Sequence, residues 1–421
     1  MTRKRSAIFA AVTAAVVLIS SLAGSLICFA GQDDENVKNA QIEELIVPDP
    51  FAEDAYGLRG FTVSPDGERL FLGYLHGPYG DASHVSLYDA RTLRKTGEYI
   101  PVVDENIPVD MYNYYPKGLA VDNRGFLFVG VTHAETPYCS IYCVDNYLRE
   151  IGHIVEDLGE TTGINGIATQ KMGDRILLYV LTCYNADTIR CYDVTDPTDM
   201  KLYEAFGDGG VVDYNELTGS ERDPGYIAVD IDGNVYITCM LKSSGSKGSH
   251  VLKLSPDGKE IVARVAISEA YGICTAGDYL FVSTYDYDRS KIYALNRSDL
   301  SEVAVYSEEN QSEPLTSISY GGQFLYIADQ GEENPTDAGR VLRTKNMLKL
   351  TRDARETEKV DPGKYEVPPT AEPTEEPENG ENTSDTTHKR GNTLAIVLGI
   401  AGAVLAAAVV IVLVVRSKRK K

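Results

Sequence analysis

Two tyrosine-rich clusters are the residues of this chain best suited to bind something: Met111-Tyr112-Asn113-Tyr114-Tyr115-Pro116 and Tyr285-Asp286-Tyr287-Asp288. A phenol offers a flat apolar face and a polar tip, which suits stacking on a sugar ring or covering an apolar patch of a partner. The same rings also fill gaps inside a fold, and that alternative stays open for half of them. Asp286 and Asp288 add two nearby carboxylates, the oxygen ligands that calcium prefers. Motifs for other chemistry are missing: the chain has no GxSxG elbow, HExxH helix or phosphate-cradling GxxxxGK[ST]. Its histidines are scattered, five of the six being His76, His84, His133, His153 and His250.

Seven cysteines are present, and six of them (Cys139, Cys143, Cys183, Cys191, Cys239 and Cys274) lie beyond the first 30 residues. No CxxC spacing marks a metal finger. An even number outside the cell permits disulfides, Cys183 with Cys191 across a hairpin being the candidate pair; buried free thiols are the alternative. Acidic residues outnumber basic ones 62 to 40, for a formal net charge of -22. Such a chain repels phosphate backbones, which argues against a nucleic-acid partner.

The charge is unevenly spread. Residues 1–30 carry three basic residues and 393–421 carry five, with no acid in either, so the part between holds -30. Residues 1–30 read as a secretory signal, with basic Arg3-Lys4-Arg5, an apolar run and Cys28-Phe29-Ala30 ahead of a polar stretch. Cleavage after Ala30 is the expectation; an uncleaved anchor is the alternative that the length of the run permits. Thr393 to Val415 is a stretch of 23 uncharged residues. As a helix it reaches roughly 34 Å, enough to cross a bilayer. The basic tail 416–421 then belongs in the cytoplasm and the acidic part outside the cell, which makes this a single-pass type I membrane protein. Residues 357–392, rich in Pro, Glu and Thr, read as a disordered acidic stalk. Residues 31–41 form a lead into the folded part, 42–356.

Within 42–356 one pattern recurs six times: an apolar run, a Gly-containing turn and a second apolar run. The turn glycines are Gly67, Gly125, Gly173, Gly233, Gly277 and Gly322, spaced 44 to 60 residues apart. That is the period of a propeller blade. Each turn offers Gly, Asp or Asn where a tight hairpin needs positive φ. Second runs such as Phe126–Val131 are continuously apolar, as strands buried on both faces must be. A third strand and a fourth follow in most units. The spacing predicts an all-β, six-bladed β-propeller with a C-terminal transmembrane helix. Ile42–Val47 is expected to supply the outer strand of the last blade and close the ring; if it begins a further blade instead, the count is seven.

Ala205-Phe206-Gly207-Asp208-Gly209-Gly210 and the run from Asp223-Pro224-Gly225-Tyr226 to Ile237 resemble the NHL-type repeat, and Lys117–Val129 is similar. The resemblance spans about Ile42 to Leu350 and extends to SMP-30-like propellers. Proteins of this kind include sugar lactonases, lyases and binding domains without chemistry, so fold alone does not choose. The lactonase-type relatives hold a divalent metal at the top of the axial channel with Glu, Asn and Asp at the starts of inner strands. Asn165 and Asp223 fall near two such positions, and a calcium-like cation there is the alternative cofactor that the resemblance implies. Where the first blade should offer Glu, this chain has Leu58-Arg59, and the second has Lys117. Two cations in the ring oppose a metal. Arg59 and Lys117 instead suit a carboxylate or a phosphate, pairing with Asp54 or Asp110 being the alternative.

The sequence therefore leans towards binding rather than catalysis, with no cofactor. The expected partner is an extracellular protein, peptide or glycan, met by Arg59, Tyr112, Tyr115, Lys117, Asn165, Asp223, Tyr285 and Tyr287. A metal-dependent lactonase or lyase, and a structural subunit of an envelope complex, are the alternatives.

Overall fold

The computed structural model describes residues 28–29, 37–39, 42–46 and 55–344, except 77–82, 102–113, 134–136, 160–161, 185–186, 220–221, 242–248, 287–289, 308–313, 323 and 330–339. The segments expected to be stalk, transmembrane helix and cytoplasmic tail, and nearly all of the expected signal, lie outside the described residues. Among the described residues no helix is long and apolar enough to cross a membrane.

Six sheets make up the fold, each built from consecutive antiparallel strands, with N-terminal strands added to three of them. The first blade runs Ala55–Val63, Arg69–His76, His84–Asp89 and Lys95–Tyr99 from inside to outside. The inner strands of the next five are Tyr114–Val121, Thr162–Met172, Arg222–Val229, Ala270–Ala276 and Leu315–Gly321. Each inner strand abuts the next, and that of blade six abuts that of blade one, so the ring is closed. Closure comes from the N-terminal side: Ile42–Ile46 pairs antiparallel with Arg340–Thr344, Ile42 opposite Thr344 and Ile46 opposite Val341. This segment completes the sixth blade and begins no seventh. Ahead of it, Val37–Asn39 pairs in parallel with the outer strand of blade five, and Cys28–Phe29 with that of blade four. Val37–Asn39 in the lead, and Cys28–Phe29 at the end of the stretch expected to be signal, thus cover strand edges that would otherwise invite pairing.

All six turn glycines have positive φ, from 57° at Gly277 to 91° at Gly125, where a side chain is strained. Each of the six apolar cores lies between two neighbouring blades. The second strand of blade two shows why its sequence is apolar throughout. Phe126 and Phe128 pack towards blade three, while Leu127, Val129 and Val131 pack towards blade one. Near the axis the strands come too close for side chains. A Cβ on Gly272 would meet Thr316 O at 2.3 Å, and one on Gly73 would meet Pro116 O at 2.6 Å.

Two expectations for blade three change. Its outer position, where the repeat leads one to expect a single strand, is shared by Lys201–Leu202 and Val211–Asp213, both paired with Thr188–Asp193; the chain between them turns so that Phe206 packs edge-on against Tyr179, with ring centroids 5.5 Å apart. Cys191 stands opposite Tyr179 in the register, so Cys183 and Cys191 do not face each other. All six described cysteines are buried free thiols. Burial pushes the Cys139 thiol up to about 12 and that of Cys143 well above its ordinary value, which keeps both unreactive.

Candidate functional site

Near its start, every inner strand carries an unmatched residue at one equivalent position, and that of blade one carries a second between Ala55 and Leu58. Arg59 falls between the pairs Leu58–Tyr74 and Gly60–Gly73. Lys117 falls between Pro116–Val131 and Gly118–Gly130, and Asn165 between Ile164–Thr182 and Gly166–Leu181. In blade four Gly225 and Tyr226 face Thr238 alone, in blade five Tyr271 and Gly272 face Ser283 alone, and in blade six Thr316 is the extra residue. Such bulges break the alternation of a strand and re-aim a side chain. Inner strands enter from the same end of the ring, so the six bulges encircle one mouth of the axial channel. That channel holds about 750 Å³ of space between atoms, part of it open to solvent, and its lining includes Lys117, Tyr226 and Ser317.

The bulges also join blade to blade. Lys117 Nζ donates to Asn165 Oδ1 at 2.5 Å, and Asn165 Nδ2 donates to Pro224 O at 2.6 Å, linking blades two, three and four. Thr238 Oγ1 accepts from Tyr226 N at 2.8 Å and donates to Tyr271 O at 2.6 Å, linking four and five. Three rings follow this path: Tyr226 and Tyr271 have centroids 5.1 Å apart, and Tyr271 and Tyr285 4.9 Å apart. All three residues are half-buried. Tyr285 is held through its backbone N–H, which donates to Glu269 O at 2.8 Å.

Electrostatics place Arg59 in the same group. Burial, aided by Tyr271, pushes the Tyr226 phenol up to about 12, while Lys117, a hydrogen bond with Ser317 and Arg59 pull it down. Both cations therefore lie near one phenol. Among the described residues neither Arg59 nor Lys117 has a carboxylate partner; Asp54 and Asp110, the neighbouring acids, lie outside them.

Of the residues singled out in the sequence, Arg59, Lys117, Asn165 and Tyr285 come together at this mouth. The backbones of Tyr115 and Asp223 lie nearby, opposite Thr132 and Met240, but their side chains are outside the described set. Tyr112, Tyr287 and Asp288 are also outside it. Tyr226, Tyr271 and Ser317 were missed. Tyr271 had a signal, since it precedes Gly272 as Arg59 precedes Gly60, Lys117 Gly118 and Asn165 Gly166.

The donor set fits a divalent cation poorly. Asn165 spends its oxygen on an ammonium and its amide nitrogen on a carbonyl. A hard cation at that oxygen would sit against Lys117, with Arg59 close by. Among the described residues no three His, Cys, Asp or Glu gather as a metal site.

No protein-family model matches the chain. No curated protein matches it. Among solved structures it is similar to hydrazine synthase of Kuenenia stuttgartiensis, at 20% identity and a TM-score of 0.40 over 67% of this chain and 75% of that one. It is also similar to the PQQ-bound aldose sugar dehydrogenase of Streptomyces coelicolor, at 14% identity and 0.47 over 74% and 99%. A third is the calcium-binding protein regucalcin of Agrobacterium tumefaciens, at 11% identity and 0.43 over 75% and 98%. These likenesses concern fold alone.

Proposed function

We propose that the chain is a binding module held at the cell surface: an NHL-type propeller outside the membrane, anchored by a helix over 393–415, that takes a protein, peptide or glycan at the mouth ringed by bulges. One observation carries the reading. Two cations without a described carboxylate partner and a run of three adjoining, mutually tilted tyrosines converge on the same mouth of a channel. Half-buried rings beside charged side chains are what a recognition surface needs and what a sealed core avoids. The uncharged span followed by Arg416-Ser417-Lys418-Arg419-Lys420-Lys421 supports the anchoring.

The test is retention of the full-length chain, in detergent, by envelope fragments of the native cell. Retention should be lost in Tyr271→Ala/Tyr285→Ala at unchanged melting temperature, and equal retention of this variant and the parent would end the reading. Removing residues 393–421 should release the chain into the medium; a chain that still pellets with membranes is not anchored in this way.

A further inference from the structure

We infer that the mouth recognises a uronic-acid residue, a sugar ring bearing a carboxylate, with Arg59 and Lys117 holding the carboxylate and the Tyr226–Tyr271–Tyr285 run stacking on the ring. This rests on the binding reading above and narrows it to one ligand chemistry.

Charge comes first. The part of the chain between residues 31 and 392 carries -30, yet the blade-one to blade-three side of this mouth presents two cations and, from Asn165, a neutral partner, while the carboxylates of Glu269 and Asp286 stand beside Tyr285 in blade five. An acidic surround repels anions at long range, and screening confines that repulsion to about 10 Å at ordinary ionic strength. A local basic pair is then useful for an anion delivered by other contacts, and the adjoining tyrosine rings supply them. Arg59 has a planar fork suited to a carboxylate, and Lys117 keeps two of its three donor protons after the bond to Asn165.

The rings decide among anions. Inorganic phosphate has no face to stack, and a glutamyl side chain has only a narrow aliphatic one. A pyranose presents a broad patch of C–H groups on one side, which suits the face of a phenol. The Tyr226 hydroxyl, hydrogen-bonded with Ser317, feels the charge of both cations. Blade-to-blade bonds fix the platform: Thr238 holds the backbone of Tyr226 and Tyr271, and Glu269 that of Tyr285. Rigid aromatic contacts lose little entropy on binding.

The experiment is calorimetric titration of the full-length chain in detergent with galacturonate, galactose, inorganic phosphate and a glutamyl dipeptide. Galacturonate should bind at least about tenfold tighter than the other three, the increment of a charge-assisted bond in a partly dry site. Its affinity should fall as salt rises. Arg59→Gln and, separately, Lys117→Gln should each weaken galacturonate about tenfold at unchanged melting temperature. Trigalacturonate binding more tightly than the monomer assigns the site to a polysaccharide end, and equal binding assigns it to the free sugar acid. Phosphate or the dipeptide binding as well as galacturonate, galactose binding equally, or no binding at all overturns the inference. The salt dependence serves the same purpose should both variants fail to fold. If galacturonate fails while Tyr271→Ala/Tyr285→Ala still abolishes envelope retention, the ligand class is wrong and the binding reading stands; if retention is also unaffected, both fall.

Discussion

Lys117 in blade two donates its ammonium proton to Asn165 Oδ1 in blade three, 2.5 Å away, and the same carboxamide donates onward to Pro224 O in blade four. Asn165 is thus a bridge, with each end of its amide used by a different blade, and it is almost fully buried at 8% exposure.

Removing the two ends of this bridge should have unequal effects. Asn165→Ala leaves the Pro224 carbonyl without its donor and Lys117 without its acceptor, and should cost about 1–3 kcal/mol. Lys117→Met leaves only Asn165 Oδ1 unpaired, beside a channel that water can enter, and should cost less than about 1 kcal/mol. Denaturant midpoints with unchanged slope report both; equal costs would show that Asn165 carries no load between blades.

A second inter-blade link is ionic and dry. Asp122 and Arg124, 2.8 Å apart and both buried, form the first hairpin turn of blade two, and Arg124 donates to Val194 O and Thr195 O of blade three. Burial pushes the Asp122 carboxyl up, and the Arg124 guanidinium opposes that. Arg124→Ala strands the carboxyl and frees two carbonyls, so it should cost about 3–5 kcal/mol, which thermal melting would detect at once. Replacing both residues together should cost less than Arg124→Ala alone, as expected when the penalty lies in an unpaired buried charge.

These links also separate what sequence makes legible from what it does not. The six turn glycines follow from a local rule, since each hairpin needs positive φ, and all six have it. Ring closure by Ile42–Ile46 follows from an unpaired edge and a spare strand. The bulges are different. Whether Arg59, Lys117 or Asn165 is the unmatched residue depends on the pairing of two strands, and no single strand encodes it. The same is true of the cysteines, where the register decided against facing positions for Cys183 and Cys191. Tyr226 joined the site only once blade four was seen to place Gly225 and Tyr226 together opposite Thr238.

The thiols give a simple count. Titrated with a thiol reagent without reductant, the native chain should show none of Cys139, Cys143, Cys183, Cys191, Cys239 and Cys274, because all six are buried. In denaturant all six should react. A seventh would be Cys28 and would mean that the N-terminal segment is retained. Four in denaturant would mean that one disulfide forms, against the register described.

The last expectation concerns pH at the edge of the site. Glu269 stands at φ 59° and its backbone oxygen holds Tyr285 N–H. Burial, with the Asp286 charge beside it, holds its carboxyl above the usual carboxylate range. The folded chain therefore binds this proton more tightly than the unfolded chain does. Its contribution to stability is fully present below the unfolded value, about pH 4, and is lost as pH rises through the folded value. Glu269→Gln removes the charge and keeps the shape, so it should melt higher than the parent at pH 7 and no higher at about pH 4. A gain that persists unchanged at the lower pH would trace the effect to packing rather than to the carboxylate. Because Glu269 anchors Tyr285 through its backbone, the same substitution should leave the ring platform unaltered.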